Sequence, residues 1–472
     1  MDNEEFRTWS ERAARWGADY RARLRDLPVR PKASPGEIAR MIERQPPEAG
    51  EGMETIFADF ERVILPGMTH WQHPRFFAYF PANAAPASVV AEYLVTAMAA
   101  QCMLWQTSPA ATELETAMVD WLRQALGLPD DFTGSIQDSA SSATLNAVLV
   151  MRERALNWEG NRQGLSGQPR LRIYATGHVH TSIDRAIWVA GIGEDNLVRI
   201  PSQGPGRGMD CAALEEAIRR DVESGYRPAG IIACTGGTSV GAHDDIDAVT
   251  AVAARHGLYV HVDAAWAGSA MICPEFRTLW SGVEKADSIV FNPHKWLGAQ
   301  FDCSIQFIRS PDDLVRTLAI KPEYLKTSGK DGFINYSEWS VPLGRRFRAL
   351  KLWFLLRHHG LEGLRAMIRN HVRWAVALHD RIAADPRFEI TSPPFLSLFS
   401  FRPRVAAGAD REAVTQAYLD RINDDGRIYL TQTRLDGELV IRFQAGSFDM
   451  RQEDAETAFT VLADMADALP GI

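Results

Sequence analysis

Cysteine is scarce and cannot pair evenly. The five thiols are Cys102, Cys211, Cys234, Cys273 and Cys303, with no CxxC pair and no zinc-like spacing. A disulfide scaffold is excluded, and a reducing, cytoplasmic setting is expected. Positive charge is also short: 51 Lys and Arg face 60 Asp and Glu, a formal net charge of -9. A general nucleic-acid surface does not fit that balance. Long apolar runs are missing. The longest near the front, 93–105, falls short of the about 20 residues a membrane helix needs. The first 24 residues mix charges and lack a signal-like apolar core. A soluble protein with no membrane partner is expected. No GxxxxGK[ST] loop, internal repeat or low-complexity tract occurs.

What remains is globular: 46% of the 472 residues are hydrophobic and 24% charged. That length predicts two or three domains. We place boundaries at 1–85, 86–375 and 376–472. In the first segment Phe6, Trp9, Ala13, Trp16 and Tyr20 recur at helical spacing before Pro28, Pro31 and Pro35 interrupt. A 20-residue amphipathic helix must bury its face, against an oligomeric partner or against the chain's own body. Residues 76–81 (FFAYFP), near Trp71, are dense in aromatics and fit either core packing or the wall of an aromatic pocket.

The middle of the chain alternates. Helices are predicted over 112–126, 143–156, 210–220 and 246–255, with strands at 171–174, 197–200, 230–234, 258–262 and 288–292. This rhythm implies an α/β domain with a mainly parallel sheet wrapped by helices. Helices follow at 345–356 and 361–379. The C-terminal region mixes strands at 388–391, 396–401 and 439–443 with helices at 411–422 and 453–465, a smaller α+β domain.

Ligands in such sheets bind where strands end. Four loops stand there, carrying His178 and His180, Thr235 to Thr238, Asp263 to Ala265, and His294 with Lys295. Ser139, Ser141 and Ser142 start a helix, where hydroxyls cap and free N–H groups attract anions. Each piece has an ordinary reading. Lys295 could be a solvated surface lysine, Asp263 a turn cap and Thr238 a turn residue. The HxH at 178–180 lacks a third metal ligand at a natural spacing, and no metal is expected. Jointly they supply an amine, an acid, a flat ring and an anion cradle, the needs of pyridoxal 5'-phosphate. Lys295 would attach the aldehyde, Asp263 would keep the ring nitrogen protonated, and His180 would lie on the ring face. The phosphate would take the serine helix start, with Thr238 and Asn292 donating further hydrogen bonds.

Several longer stretches point the same way: PGMTHWQHPRFFAYFP (66–81), SPAATELE (108–115), IQDSASSATL (136–145), HTSIDRA (180–186), HVDAAWAGSA (261–270), NPHKWLG (292–298), FDCS (301–304) and PLGRRFRALKLWF (342–354). Through them the chain resembles the aromatic-L-amino-acid decarboxylases of the group II pyridoxal-phosphate decarboxylases over nearly its whole length. The resemblance implies a fold-type I, transferase-like subunit in a homodimer with active sites at the interface. The N-terminal segment would then pack across the partner. It also implies that Lys295 holds the cofactor, Asp263 pairs with the ring nitrogen and His180 stacks on the ring. Ala140, Ser141, Thr238, Ala265, Asn292 and His294 match cofactor-contacting positions. Trp71, Tyr79, Phe80, Ala82, Met103 and Gly344 match the substrate pocket.

Tyr324 matches a lid tyrosine that delivers a proton to Cα, with His180 assisting. Relatives with phenylalanine there make aldehydes oxidatively. The polar, glycine-bearing stretch 326–332 suits such a lid. The resemblance implies decarboxylation of an aromatic L-amino acid, such as tryptophan, tyrosine, phenylalanine or a dopa-like compound. Oxidative aldehyde synthesis and decarboxylation of a non-aromatic amino acid are the alternatives, and a non-catalytic cofactor-binding protein is a further one. Asp138, Ser142, Ala82 and Met103 depart from the animal enzymes. Asp138 is expected to turn from the phosphate and cap the helix. Gly344 tilts the expectation toward an indole substrate.

Overall fold

The structure, a computed structural model, describes residues 1–320 and 333–469. Tyr324 and the stretch 326–332 lie outside the described residues. The chain forms two compact units. One comprises Ala82–Arg373 and Pro393–Phe399; the other comprises Met1–Pro81, Trp374–Ser392 and Ser400–Ile472.

The larger unit is built on a seven-stranded sheet. Its strands are β1 (Thr133–Gln137), β2 (Leu171–Thr176), β3 (Leu197–Ile200), β4 (Arg227–Cys234), β5 (Tyr259–Asp263), β6 (Ser288–Phe291) and β7 (Ser304–Ile308). Their order is β1-β7-β6-β5-β4-β2-β3. β3, β2, β4, β5 and β6 pair in parallel, while β7 runs antiparallel to both β6 and β1. The mainly parallel sheet expected from the alternation is therefore present. β1 and β7 are additions, because their Gly, Ser and Gln content hides a strand pattern. The C-terminal ends of β1, β2, β4, β5 and β6 all face one edge of the sheet.

Helices wrap this sheet: α3 (Pro86–Met98), α4 (Pro109–Leu126), α5 (Ala140–Ala155), α6 (Ser182–Val189), α7 (Cys211–Glu223), α8 (Ile246–His256) and α9 (Pro311–Leu318). The preceding α1 (Asn3–Arg23) and α2 (Met53–Asp59) belong to the other unit. The caps follow the sequence: Asp210 starts α7 and Asp245 starts α8, while Gly257 ends α8 in the left-handed region. Helix α4 begins at Pro109, earlier than expected, because proline suits the first turn. Helix α5 also begins early. Ser139 caps it by accepting the Ser142 N–H at 3.3 Å, so Ala140, Ser141 and Ser142 form its first turn. The 32-residue spacing from Asp263 to Lys295 suits one intervening helical unit, but the β5–β6 connection holds three 3₁₀ segments, Ala267–Ile272, Pro274–Trp280 and Val283–Lys285. Pro274 lacks an N–H and disfavours a continuous helix there. A long helix, α10 (Ala349–Ala384), is broken at Gly360 (φ 62°, ψ 168°), which matches the expected two-helix pattern.

The other unit holds α1 (Asn3–Arg23), α2 (Met53–Asp59), α11 (Arg411–Asp425), α12 (Gln452–Asp467) and most of a four-stranded sheet. The sheet strands are β8 (Phe388–Phe395), β9 (Leu398–Pro403), β10 (Thr431–Leu435) and β11 (Glu438–Gln444), ordered β8-β9-β11-β10. Strand β10 escaped the sequence reading, since TQTRL alternates without a strong apolar set. Asp2 and Glu5 form a capping box on α1. The aromatic face of α1 meets its own chain: Trp9 lies 5.7 Å from Phe57 and Trp16 lies 5.0 Å from Phe60. No residue of α1 is fully buried.

Among the described residues no helix is long and apolar enough to cross a membrane. All five cysteines are free thiols. Besides His70, four histidines, His73, His261, His294 and His371, are buried. Burial lowers their pKa values to about 3, 4, 3 and 3, in that order. They are neutral in the folded state at pH 7 and mostly neutral in the unfolded chain. Below the ordinary value of 6.5 the unfolded chain takes up protons that the fold resists, so stability falls as pH drops toward 4. Each histidine should cost about 2 kcal/mol at pH 5. Asp244, raised by burial to about 6, works in the opposite sense and returns about 1 kcal/mol there. Urea unfolding at pH 7 and pH 5 checks this; a lower midpoint at pH 5 is expected.

Candidate active site

Asp263 ends the central strand β5. Across the sheet its Cα partners are Cys234 on β4 and Val290 on β6. Its side chain is buried at 8% exposure, and Oδ1 accepts the Ala265 N–H at 3.0 Å. Among the described residues that is its only hydrogen-bond donor. The Ala265 carbonyl accepts the Asn292 N–H at 2.8 Å, which ties the end of β5 to the segment after β6.

That segment is one helical turn, Pro293–Leu297, closed by Gly298 at φ 102°, a left-handed value that favours glycine. Asn292 is buried; its carbonyl accepts the Lys295 N–H at 2.9 Å and its Oδ1 accepts the Ser304 hydroxyl at 2.6 Å. His294 is buried too, and its Nδ1 accepts the Cys303 N–H at 3.0 Å. Burial first, and then the Lys295 charge, keeps this imidazole neutral. Lys295 is half-buried.

His180 follows β2. Its Nδ1 accepts the Ser182 N–H at 3.1 Å, which leaves Nε2 to carry the proton of the neutral ring. His180 is exposed by its surface area, yet it stands close enough to the protein body to be partly desolvated. That desolvation lowers its pKa; Asp263 opposes the shift and Lys295 adds to it. His180 therefore feels both of those charges. His178 turns to another partner, the Ser202 hydroxyl, at 3.2 Å from Nε2. Thr238 sits in the turn after β4, where Gly237 must be small: a Cβ there would lie 2.8 Å from the His178 carbonyl. The loops after β2 and β4 thus come together.

At the same edge lies the start of α5. No described residue takes the N–H groups of Ala140 and Ser141. Asp138 does not cap this helix as expected. Ser139 has that place, and its hydroxyl also donates to Asp138 Oδ1 at 3.1 Å.

The structure therefore brings Ala140, Ser141, His180, Thr238, Asp263, Ala265, Asn292, His294 and Lys295 to one edge of one unit. Ala82 adjoins them through its neighbour Asn83, which bonds to the Lys295 turn. Met103 and Gly344 occupy a separate stretch: the Met103 carbonyl accepts the Ser337 N–H, and Gly344 lies beside Gln101. Trp71, Tyr79 and Phe80 belong to the other unit. There Phe76 and Phe77 are core, whereas Trp71 and Tyr79 are exposed and stack at 5.9 Å. Phe80 is buried beneath the Arg442 guanidinium, 5.2 Å from its ring. Core packing therefore holds for Phe76 and Phe77.

The conserved domain of pyridoxal-dependent decarboxylases matches residues 35–404. The chain belongs to the pyridoxal-dependent decarboxylase family. Similar proteins include aromatic-L-amino-acid decarboxylase from Mus musculus, 38% identical over 99% of both chains. Phenylacetaldehyde synthase from Arabidopsis thaliana is 35% identical over 99% of this chain and 97% of its own. A crystal structure of Oryza sativa TDC with PLP and tryptamine superposes with a TM-score of 0.95, 34% identity and 99% coverage of both chains. The fold of this decarboxylase is that of the PLP decarboxylases, with a mainly parallel sheet and a C-terminal sheet region. It is a carboxy-lyase whose cofactor is pyridoxal phosphate.

The residues present fit that cofactor. The Asp263 carboxylate has spare lone pairs at a buried strand end, where a protonated ring nitrogen would satisfy it. The open N–H groups of Ala140 and Ser141 suit a phosphate. Sequence reasoning missed the supports of this decarboxylase site: Ser182 fixes the His180 tautomer, Ser304 holds Asn292, and Asn83 holds the Lys295 turn. Ser182 had a weak signal as a hydroxyl at a helix start. Asn83, in PANAAP, had none.

Proposed function

We propose that this enzyme decarboxylates an aromatic L-amino acid to the corresponding amine and carbon dioxide. The observation that carries the reading is the meeting of Lys295, Asp263 and His180 at one sheet edge in a chain of this family. When bound, pyridoxal phosphate supplies an aldehyde for an amine and a ring that accepts the electron pair released at Cα. Lys295 holds the cofactor and yields it to the substrate amine. Asp263 keeps a proton on the ring nitrogen through its carboxylate. His180 presents its flat face to the ring with Nε2 protonated. The α5 start, Thr238 and Asn292 seat the phosphate, and Ala265 and His294 contact the cofactor. The family resemblance assigns substrate-contacting roles to Trp71, Tyr79, Phe80, Ala82, Met103 and Gly344, and Gly344 favours an indole side chain.

Tyr324 is assigned the proton delivered to Cα from its hydroxyl. The phenylacetaldehyde synthase relative makes oxidative aldehyde formation the second reading. Tyr324→Phe should therefore turn the product from amine toward aldehyde, with oxygen consumed and hydrogen peroxide and ammonia released. An amine loss of about 10²-fold is expected for removing one positioned acid. Unchanged amine output from the variant would remove Tyr324 from the mechanism. Substrate choice is tested by kcat/KM across L-tryptophan, L-tyrosine, L-phenylalanine, L-dopa and L-glutamate. A preference for glutamate would overturn the aromatic reading.

A homodimer belongs to the same proposal. Helix α3 exposes Val89, Val90, Tyr93, Leu94 and Met98, an apolar face that a second copy would cover. Free thiols throughout suit a cytoplasmic setting.

A further inference from the structure

A single helical turn leaves its carbonyls without helical partners. In the turn Pro293–Leu297, the Pro293 carbonyl accepts the N–H groups of Gly298 and Ala299. The next two carbonyls go to one residue outside the turn. Asn83 donates its backbone N–H to the His294 carbonyl at 2.8 Å and its Nδ2 to the Lys295 carbonyl at 2.5 Å. Asn83 is fully buried. Two more bonds continue the contact: Ala85 N–H to the Gly298 carbonyl at 2.9 Å, and Gln300 N–H to Ser88 Oγ at 2.6 Å. All these residues belong to one compact unit.

The geometry has a specific consequence. The His294 and Lys295 carbonyls belong to the two peptide planes that flank the Lys295 Cα. Peptide planes are rigid, so fixing both fixes φ and ψ of the residue between them. The Lys295 N–H bond to the Asn292 carbonyl steadies the first plane, and the second depends on the Asn83 amide. We propose that Asn83 is a positioning residue, which clamps the backbone on both sides of Lys295 and so aims its amine. This rests on the reading of Lys295 as the cofactor-holding lysine.

Asn83→Ala keeps the backbone N–H but removes the donor to the Lys295 carbonyl. Asn83→Asp keeps the size and sets an acceptor against that carbonyl. Both should release the second plane. The experiment uses the cofactor-loaded full chain and its cofactor-free form. Cofactor affinity is read from the visible band, kcat and KM are measured with an aromatic L-amino acid, and hydrogen exchange is followed over 292–300 in the cofactor-free protein. Borohydride reduction and peptide mapping locate the attached residue in the unsubstituted enzyme.

The expected result is cofactor affinity lower by about tenfold or more, as losing one buried hydrogen bond allows. Positioning errors should lower kcat, with KM within about threefold. Exchange over 292–300 should rise, and the midpoint of the visible-band pH titration should shift. If Asn83→Ala does not fold, Asn83→Ser, which retains a shorter donor, is measured against the same outcomes. Unchanged affinity, titration and local exchange, with only the melting temperature lowered, would overturn the proposal and leave Asn83 a packing residue. Cofactor mapped to a residue other than Lys295 would overturn the functional reading on which it rests.

Discussion

Lys295→Ala abolishes the visible absorbance of the cofactor-loaded protein and its turnover: this is the largest effect expected. The reason begins with position. Lys295 stands in the turn directly after β6, beside the strand that ends in Asp263. Its charge lowers the pKa values of both His180 and His294. In the proposed mechanism no other described side chain attaches the aldehyde or exchanges it with the substrate amine. Removing the lysine therefore removes a covalent step rather than one favourable contact, and a loss of roughly 10³-fold or more is expected. The fold should survive. Lys295 is half-buried, and the main-chain bonds that hold its turn remain in alanine. Circular dichroism and melting of the cofactor-free variant check this. Retained turnover in a folded Lys295→Ala protein would remove Lys295 from the centre of the mechanism.

Asp263→Asn comes next in size. Asparagine preserves the shape and can still accept the Ala265 N–H through its amide oxygen. It cannot hold a proton on a ring nitrogen by charge. Breaking a buried charge pair from one side costs about 3–5 kcal/mol, roughly 10²- to 10⁴-fold in rate. That loss should appear mainly in kcat, because the electron sink is needed in the transition state more than in the ground state. A second readout is electrostatic. Asp263 raises the His180 pKa against the lowering by burial, so its loss should push that pKa further down. NMR titration of the imidazole in the cofactor-free protein checks the direction. An unchanged kcat would show that the ring nitrogen has another partner.

Much of this site is legible in the sequence because its parts are tied to strand ends. The apolar runs that became β4, β5 and β6 are short and clearly bounded, so the polar residues after them had a defined place. Asp263, His180 and Lys295 were named from that logic together with family resemblance. The sheet edge was less legible. Strands β1 and β7 carry Gly134, Ser135, Gln137, Ser304 and Gln306, which read as loop until strand pairing buries them. The connection after Asp263 also misled. Its spacing suits one helix, yet the chain makes three short 3₁₀ turns.

The supporting residues were the least legible. Asn83 acts through carbonyls far away in sequence, and no local periodicity marks such a partner. The aromatic run at 76–81 shows a further limit. Composition predicts that the rings cluster, but backbone geometry decides which face outward. Tyr79 adopts a left-handed φ of 49° and is exposed, while Phe77 beside it in the run is fully buried.

The most direct test of the central claim is product stoichiometry with the cofactor-loaded enzyme and L-tryptophan, with hydrogen peroxide assayed in the same reaction. The account predicts tryptamine and carbon dioxide in a one-to-one ratio, without peroxide in proportion to product. Indoleacetaldehyde with equimolar peroxide would contradict it, as would no carbon dioxide from any aromatic L-amino acid.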